Sequence, residues 1–334
     1  MHRYPLTIRA CLVALVLLLP AGPTLAAMLW GVNGHPVTAY SGISIPDQLD
    51  LVKELGLTSY RVDIPDIAAA DTLEELVKEG RKRGITILPV ITPRVDLAAL
   101  SEDQLYSHAR ALALALGLRF KDDIRVFELG NEMENFAIIQ PCEQRDDGTQ
   151  YPCEWGPAGG VTALEYYGPR WAKVSAVLRG LSDGMVDADP TIRKAMGTAG
   201  WGHTGAFERM RADGIKWDIS VWHMYGGDSE WAFKVLAAYD RPIWVTEFNH
   251  PEGSQKGAEE QAEGLAHWMK WLDEMRARYP IEAAHIYELL DETYWQPSFE
   301  AYMGLVELKG SQDEGWRLGG PKPAFEAVRR FIAP

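Results

Sequence analysis

The chain has 334 residues, 47% of them hydrophobic and 24% charged, and its 47 acidic against 33 basic residues leave a formal charge of −14 at pH 7. Such a balance argues against nucleic acid and anionic membrane surfaces as partners, and against a strongly anionic polysaccharide as a substrate.

The first 27 residues carry Arg3 and Arg9, then the apolar run Leu12–Leu19, then Pro20, Pro23 and small residues ending at Ala27. This is the layout of a secretory leader, and it predicts a secreted or periplasmic protein. The apolar run falls short of the about 20 residues that span a bilayer. Leu25 is not the small residue usual three places before a cut, so an uncleaved anchor is the alternative. Cys11 precedes the run, which argues against a lipoprotein. Residues 28–334 suit one α/β barrel, a fold of typically about 250 residues that grows by insertions. No linker, charge run, low-complexity tract or repeat divides them.

Short apolar runs predict strands at Leu29–Asn33, Thr58–Ile64, Thr86–Ile91, Ile124–Leu129, Lys194–Thr198, Ile219–Met224, Ile243–Glu247 and Ala283–Tyr287. Between them lie helical patterns at Gln48–Leu55, Leu73–Arg83, Glu102–Leu116, Leu164–Leu181, Trp231–Ala238 and Glu259–Arg276, with a last helix at Pro323–Phe331. Strands alternating with helices imply right-handed crossovers and a parallel sheet. Eight units argue for closure into a single-domain (β/α)8 barrel. An open doubly wound sheet is the alternative, but no dinucleotide fingerprint follows the first strand. In Gly197-Thr198-Ala199-Gly200-Trp201-Gly202 the glycines stand in the wrong order for one.

Two strands end in a glutamate: Phe127-Glu128-Leu129-Gly130-Asn131-Glu132 and Trp244-Val245-Thr246-Glu247-Phe248. In a parallel barrel such ends gather at the C-terminal mouth, where this architecture builds active sites. A pair of carboxyls there is the minimal equipment for cleaving a glycosidic bond, one as proton donor and one as nucleophile or base. The plainer reading of Glu132 is a helix-start residue. On the sixth strand, period-two alternation puts Val221, His223 and Tyr225 on one face and Trp222 on the other. If the first face is the lumen, His223 and Tyr225 project near the glutamates; the plain alternative is a core histidine. Arg61 on the second strand would need a carboxylate partner, because burying it alone is costly. Glu247 is the natural one, and Arg61 would keep it ionised. Trp201, just after the fifth strand, is the best candidate for a sugar-stacking platform. Phe136, Tyr151 and Trp155 are candidates for a wall, against the ordinary packing expected of most of the 12 Trp. Cys142 and Cys153, close in sequence in an exported chain, predict a disulfide that stabilises by about 2–3 kcal/mol.

Through Asn131-Glu132 and Glu247 the chain resembles glycoside hydrolases of clan A, retaining barrel enzymes with an acid/base glutamate after Asn on strand four and a nucleophilic glutamate ending strand seven. Arg61, His223 and Tyr225 fall where that clan places supporting residues. Trp30-Gly31-Val32-Asn33-Gly34-His35-Pro36, Tyr287-Glu288-Leu289-Leu290-Asp291-Glu292 and Gly320-Pro321-Lys322-Pro323-Ala324 are similar to family 39-like bacterial enzymes, including exopolysaccharide endoglycosidases. The resemblance implies double displacement with Glu247 as nucleophile and Glu132 as acid/base, the latter held protonated by burial and its anionic neighbour. Asn131 would bond the sugar 2-OH, and His35 and Tyr287 join the substrate-binding residues. Many clan members end strand eight with a Trp platform, where this chain has Tyr287 nearby and Trp295 further on. The substrate expected is a polysaccharide or oligosaccharide, the protein a monomer, and the chemistry calls for no metal or cofactor.

Two other functions fit parts of the pattern: a secreted glycan-binding barrel without catalysis, and a transglycosylase using the same carboxylates. No G-x-S-x-G elbow, H-E-x-x-H zinc helix or phosphate-binding Lys loop points elsewhere.

Overall fold

The computed structural model describes residues 27–333. The predicted leader lies outside the described residues, apart from Ala27. Within them no helix is long and apolar enough to cross a membrane.

Eight parallel strands close into a barrel in sequence order: β1 (Leu29–Gly34), β2 (Ser59–Ile64), β3 (Thr86–Ile91), β4 (Val126–Leu129), β5 (Arg193–Thr198), β6 (Ile219–Tyr225), β7 (Ile243–Asn249) and β8 (Ile281–Ile286). Closure runs through β1 against β8, with Gly31 opposite His285 and Val32 opposite Ile286. The helices that return the chain are α1 (Ile45–Glu54), α2 (Ala70–Arg83), α3 (Glu102–Phe120), α4 (Gly168–Ala188), α5 (Gly205–Ala212), α6 (Glu230–Ala237) and α7 (Ala258–Met275). A hairpin, β9 (Val306–Ser311) with β10 (Gly315–Pro321), precedes α8 (Pro323–Ile332). The eight predicted strands are all present; α5 and the hairpin were not expected from the pattern.

Local chemistry sets the helix starts. Ser44 caps α1 by accepting from Asp47 N, and Ser101 and Gln104 form a reciprocal capping box on α3. Proline in the first turn of α8 occupies the position where a missing N–H costs nothing.

The core has two parts. One fills the space between helices and the outer barrel face, with Trp222, Phe127 and Phe248 fully buried there. The other is a small apolar plug inside the barrel, made of Leu88, Ala195, Ile219, Val221, Trp244 and Ala283. Above that plug the inward residues turn polar. On β6 the inward series runs Ile219, Val221, His223, Tyr225, so one strand passes from floor to chemistry in four inward steps. A register shift between β6 and β7 sharpens this: Val245 pairs with Trp222 and Glu247 with His223, skipping Thr246. Such a bulge sends two consecutive residues toward one face. Both Thr246 and Glu247 make their side-chain bonds inside the barrel.

Candidate active site

Arg61 on β2 is 2% exposed and organises the mouth. Its Nε and Nη2 fork onto the two oxygens of Glu128 at 2.8 and 2.7 Å, and its Nη1 donates to Glu247 Oε1 at 2.7 Å and Asn33 Oδ1 at 2.7 Å. Nη2 also reaches Asn131 Oδ1 at 2.8 Å. Burial works against its charge, but Glu128 and Glu247 hold it protonated. The expected Arg61–Glu247 pair is therefore present, while the bidentate partner Glu128 was missed. An acid at an inward strand position was the available signal.

Glu247, 6% exposed, takes Arg61 on Oε1 and the Tyr225 hydroxyl on Oε2 at 2.5 Å. Burial and the charge of Glu247 keep the Tyr225 hydroxyl protonated far above its ordinary range, so it is a permanent donor here. His223 Nδ1 lies 3.4 Å from Glu247 Oε2 and 2.7 Å from Glu132 Oε1, and its Nε2 meets Thr246 Oγ1 at 3.2 Å. His223 and Tyr225 thus face the lumen beside the glutamates, and Trp222 packs outward edge-on against Trp231.

Glu132 follows Gly130, which takes a left-handed φ of 80° and whose absent Cβ would press within 2.8 Å of Leu178. Glu132 itself is left-handed at φ 48°, and it opens a single 3-10 turn rather than a regular helix. Its expected protonation is corrected. Burial pushes the carboxyl up, but the hydrogen bond and charge of His223 outweigh burial and draw it below the usual carboxylate range. His223 moves the opposite way: burial lowers it, while Glu247 and Glu132 raise it above an ordinary imidazole. One oxygen of Glu132, one of Glu247 and a ring nitrogen of His223 all lie within 4.8 Å of one another.

These groups floor a cavity of about 480 Å³ whose lining includes Arg61, Asn131, Glu132, Tyr225 and Glu247. Its walls include His35, Tyr287, Trp201, Phe299 and Met303. Trp201 is 76% exposed. Phe136, Tyr151 and Trp155 do not line it: Tyr151 is buried edge-on against Trp155, and Phe136 packs on the core. Within the long loop after β4, the Cys142–Cys153 disulfide closes the segment that carries Tyr151. A second cavity of about 420 Å³, mostly apolar, sits at the opposite end around Leu88 and Trp244.

Two further clusters flank the floor. Glu134, 2% exposed, accepts from Ala199 N at 2.7 Å and His203 Nδ1 at 2.9 Å, joining the loop after β4 to the loop of Trp201. His35 bonds Asp63 through Nδ1, and Glu288 and Glu292 stand on its Nε2 side. Burial and Glu292 push Glu288 up to about 8, against the pull of His35 and Tyr40. Tyr287 lies just past the end of β8, with its ring edge-on to Tyr225 and His35. Only period-breaking acids in the Tyr287–Glu292 stretch hinted at this second cluster.

The chain resembles the clan A glycoside hydrolases. Residues 171–279, running through α4 to the approach of β8, match the model of the glycosyl hydrolase catalytic core. Among solved structures, a family 39 glycoside hydrolase from the gut symbiont Bacteroides cellulosilyticus WH2 is similar, with a TM-score of 0.62 and 18% identity over 91% of this chain. This chain spans 63% of that structure's length. A family 1 β-glucosidase from Thermotoga maritima matches at 12% identity and TM-score 0.61, over 91% of this chain and 97% of its own. In complex with noeuromycin a β-glucosidase from the same organism gives 0.64 at 12% identity. At such identities the likeness is one of fold. No curated protein sequence matches the chain.

Proposed function

We propose that this protein is a retaining glycosidase that cleaves β-glycosidic bonds within a polysaccharide, with bacterial exopolysaccharide as the substrate class. The observation that carries this reading is the approach of Glu132 and Glu247 oxygens within 4.8 Å at the barrel mouth. Retaining enzymes hold their carboxyls about 5–5.5 Å apart, and inverting ones roughly 6.5–9.5 Å, to leave room for water.

In the first step Glu247, aimed by Arg61 and Tyr225, attacks the anomeric carbon. The bond to the leaving oxygen breaks as that oxygen takes the proton held between His223 and Glu132, delivered by Glu132. In the second step Glu132 removes a proton from water, the water oxygen bonds to the anomeric carbon, and Glu247 is released. Asn131, oriented through Arg61, is the bond partner for the sugar 2-OH. His35 and Tyr287 bind from the wall, and Trp201 stacks on a sugar at the rim, which favours a long chain and endo action. Export through the leader fits the disulfide.

The test is the configuration of the first-formed product, followed by NMR on a panel of neutral and cationic exopolysaccharides, with Glu247→Ala beside it. Retention with short oligosaccharides released, and no turnover in Glu247→Ala, is the result expected. An inverted first product would overturn Glu247 as nucleophile.

A further inference from the structure

We propose that His35, Glu288 and Glu292 bind one divalent metal ion, zinc being the best match, where the ends of β1 and β8 meet at the wall of the cleft. One donor atom from each of the three residues lies within 4.8 Å of the others. His35 Nε2 stands 3.2 Å from Glu288 Oε2 and 3.9 Å from Glu292 Oε1. Donors that share a tetrahedral ion at about 2.0–2.2 Å stand roughly 3.3 Å apart, so a small contraction closes the set.

A second observation is independent of that spacing. Glu288 is 0% exposed, yet its Oε1 has no hydrogen-bond partner among the described residues. Native structures rarely leave buried polar atoms unpaired, because each such atom forfeits its hydration. Three carboxyl groups, those of Asp63, Glu288 and Glu292, converge on a single imidazole. A divalent ion would balance the two glutamates, and neutral His35 would keep its Nδ1 proton on Asp63.

The outer partners are those a metal site requires. Asp63 accepts from His35 Nδ1, which leaves Nε2 as the coordinating nitrogen. Tyr40 donates to Glu288 Oε2 at 2.9 Å, and Tyr287 donates to Glu292 Oε2 at 3.2 Å, with Tyr294 on Oε1. One imidazole and two carboxylates form a zinc donor set with a fourth position for water. The neighbouring trio of Glu132, His223 and Glu247 is a poorer host, because the Arg61 guanidinium already sits 2.7 Å from Glu247. The ion would add no step to catalysis. It would tie His35 to the loop carrying Tyr287, and this inference does not depend on the reaction assigned to the cleft.

The protein is stripped with a chelator, dialysed, and titrated with Zn²⁺ alone by calorimetry, with Co²⁺ as an optical reporter and total metal counted by mass spectrometry. One equivalent is expected, with a rise in melting temperature. His35→Ala and Glu292→Gln should each weaken binding more than about 100-fold, and Asp63→Asn by about 10–100-fold, as outer partners do. Glu132→Gln should bind as the parent does. Melting of each variant without metal separates lost ligands from lost fold, and Glu292→Gln, which keeps shape and loses charge, decides if His35→Ala does not fold. Failure of the parent to bind either ion, an equivalent retained in Glu292→Gln, or one lost in Glu132→Gln would overturn the site.

Discussion

His223 Nδ1 stands 2.7 Å from Glu132 Oε1, so one hydrogen bond joins the Glu132 carboxyl to the imidazole of the sixth strand, and each draws the other toward its charged form. His223 keeps its added proton below its raised pKa and loses it as pH rises through that value. The alkaline limb of kcat/KM should therefore lie above the ordinary imidazole value of 6.5. In His223→Asn the limb should move to lower pH, toward that of a buried carboxyl, with a fall of about 10²-fold in kcat/KM. Identical limbs in the two proteins would rule out that coupling.

Glu132→Gln should lose about 10²–10⁴-fold on natural polysaccharide, the usual size of general acid catalysis. It should keep much more of its activity on aryl glycosides, whose leaving groups depart without protonation, and azide should restore part of the rest. Equal losses on both substrates with no azide adduct would remove Glu132 from the role.

Arg61→Met leaves Glu128 buried without its fork, and breaking a buried pair typically costs about 3–5 kcal/mol. Denaturant unfolding should show that loss, and Arg61→Met with Glu128→Leu should recover part of it, because an apolar pair leaves no orphaned charge. A double variant no better than the single one would show that Glu128 is satisfied by other groups.

Trp201→Ala should leave stability within about 0.5 kcal/mol, as expected of an exposed side chain. KM for long oligosaccharides should rise about tenfold, since aromatic stacking adds roughly 0.5–1.5 kcal/mol beyond area. A change confined to unfolding, with KM unmoved, would return Trp201 to a structural role.

Reduction should expose two alkylatable thiols at Cys142 and Cys153 and lower stability by about 2–3 kcal/mol. Peptide mass mapping of the native protein should show neither of these two cysteines alkylated.

Strands were legible because the barrel buries both faces, and continuous apolar runs such as Ile87–Ile91 survive without any knowledge of partners. α5 escaped because Gly205–Ala212 mixes Glu208, Arg209 and Arg211 into two turns, too short for its period to stand out. The hairpin escaped because Val306–Pro321 is rich in glycine and charge, and its two strands form a small antiparallel sheet apart from the barrel. At the site, residue identity marked Glu132, Glu247, Arg61, His223 and Tyr225, since costly polar groups at strand ends need a reason. Pairing was less visible. That Glu128 takes two of Arg61's donors, and that His223 draws the Glu132 carboxyl down against its burial, depends on register shifts and on which strands face across the lumen. The aromatic wall failed for a related reason: sequence places Trp155 in the right loop but cannot say which way a loop folds.

The bonds from Glu134 to Ala199 N and His203 fasten the loop bearing Glu132 to the loop bearing Trp201. In the proposed reaction, proton donation and chain recognition would thereby be mechanically one module. Anyone recutting the loop after the fifth strand would be loosening the loop of Glu132 as well, unless a carboxylate acceptor for that amide and imidazole is carried along with the graft. Change is consequently easier at the far wall, around Phe299, which lines the cleft and, among the described residues, has no side-chain bond to the loop of Glu132.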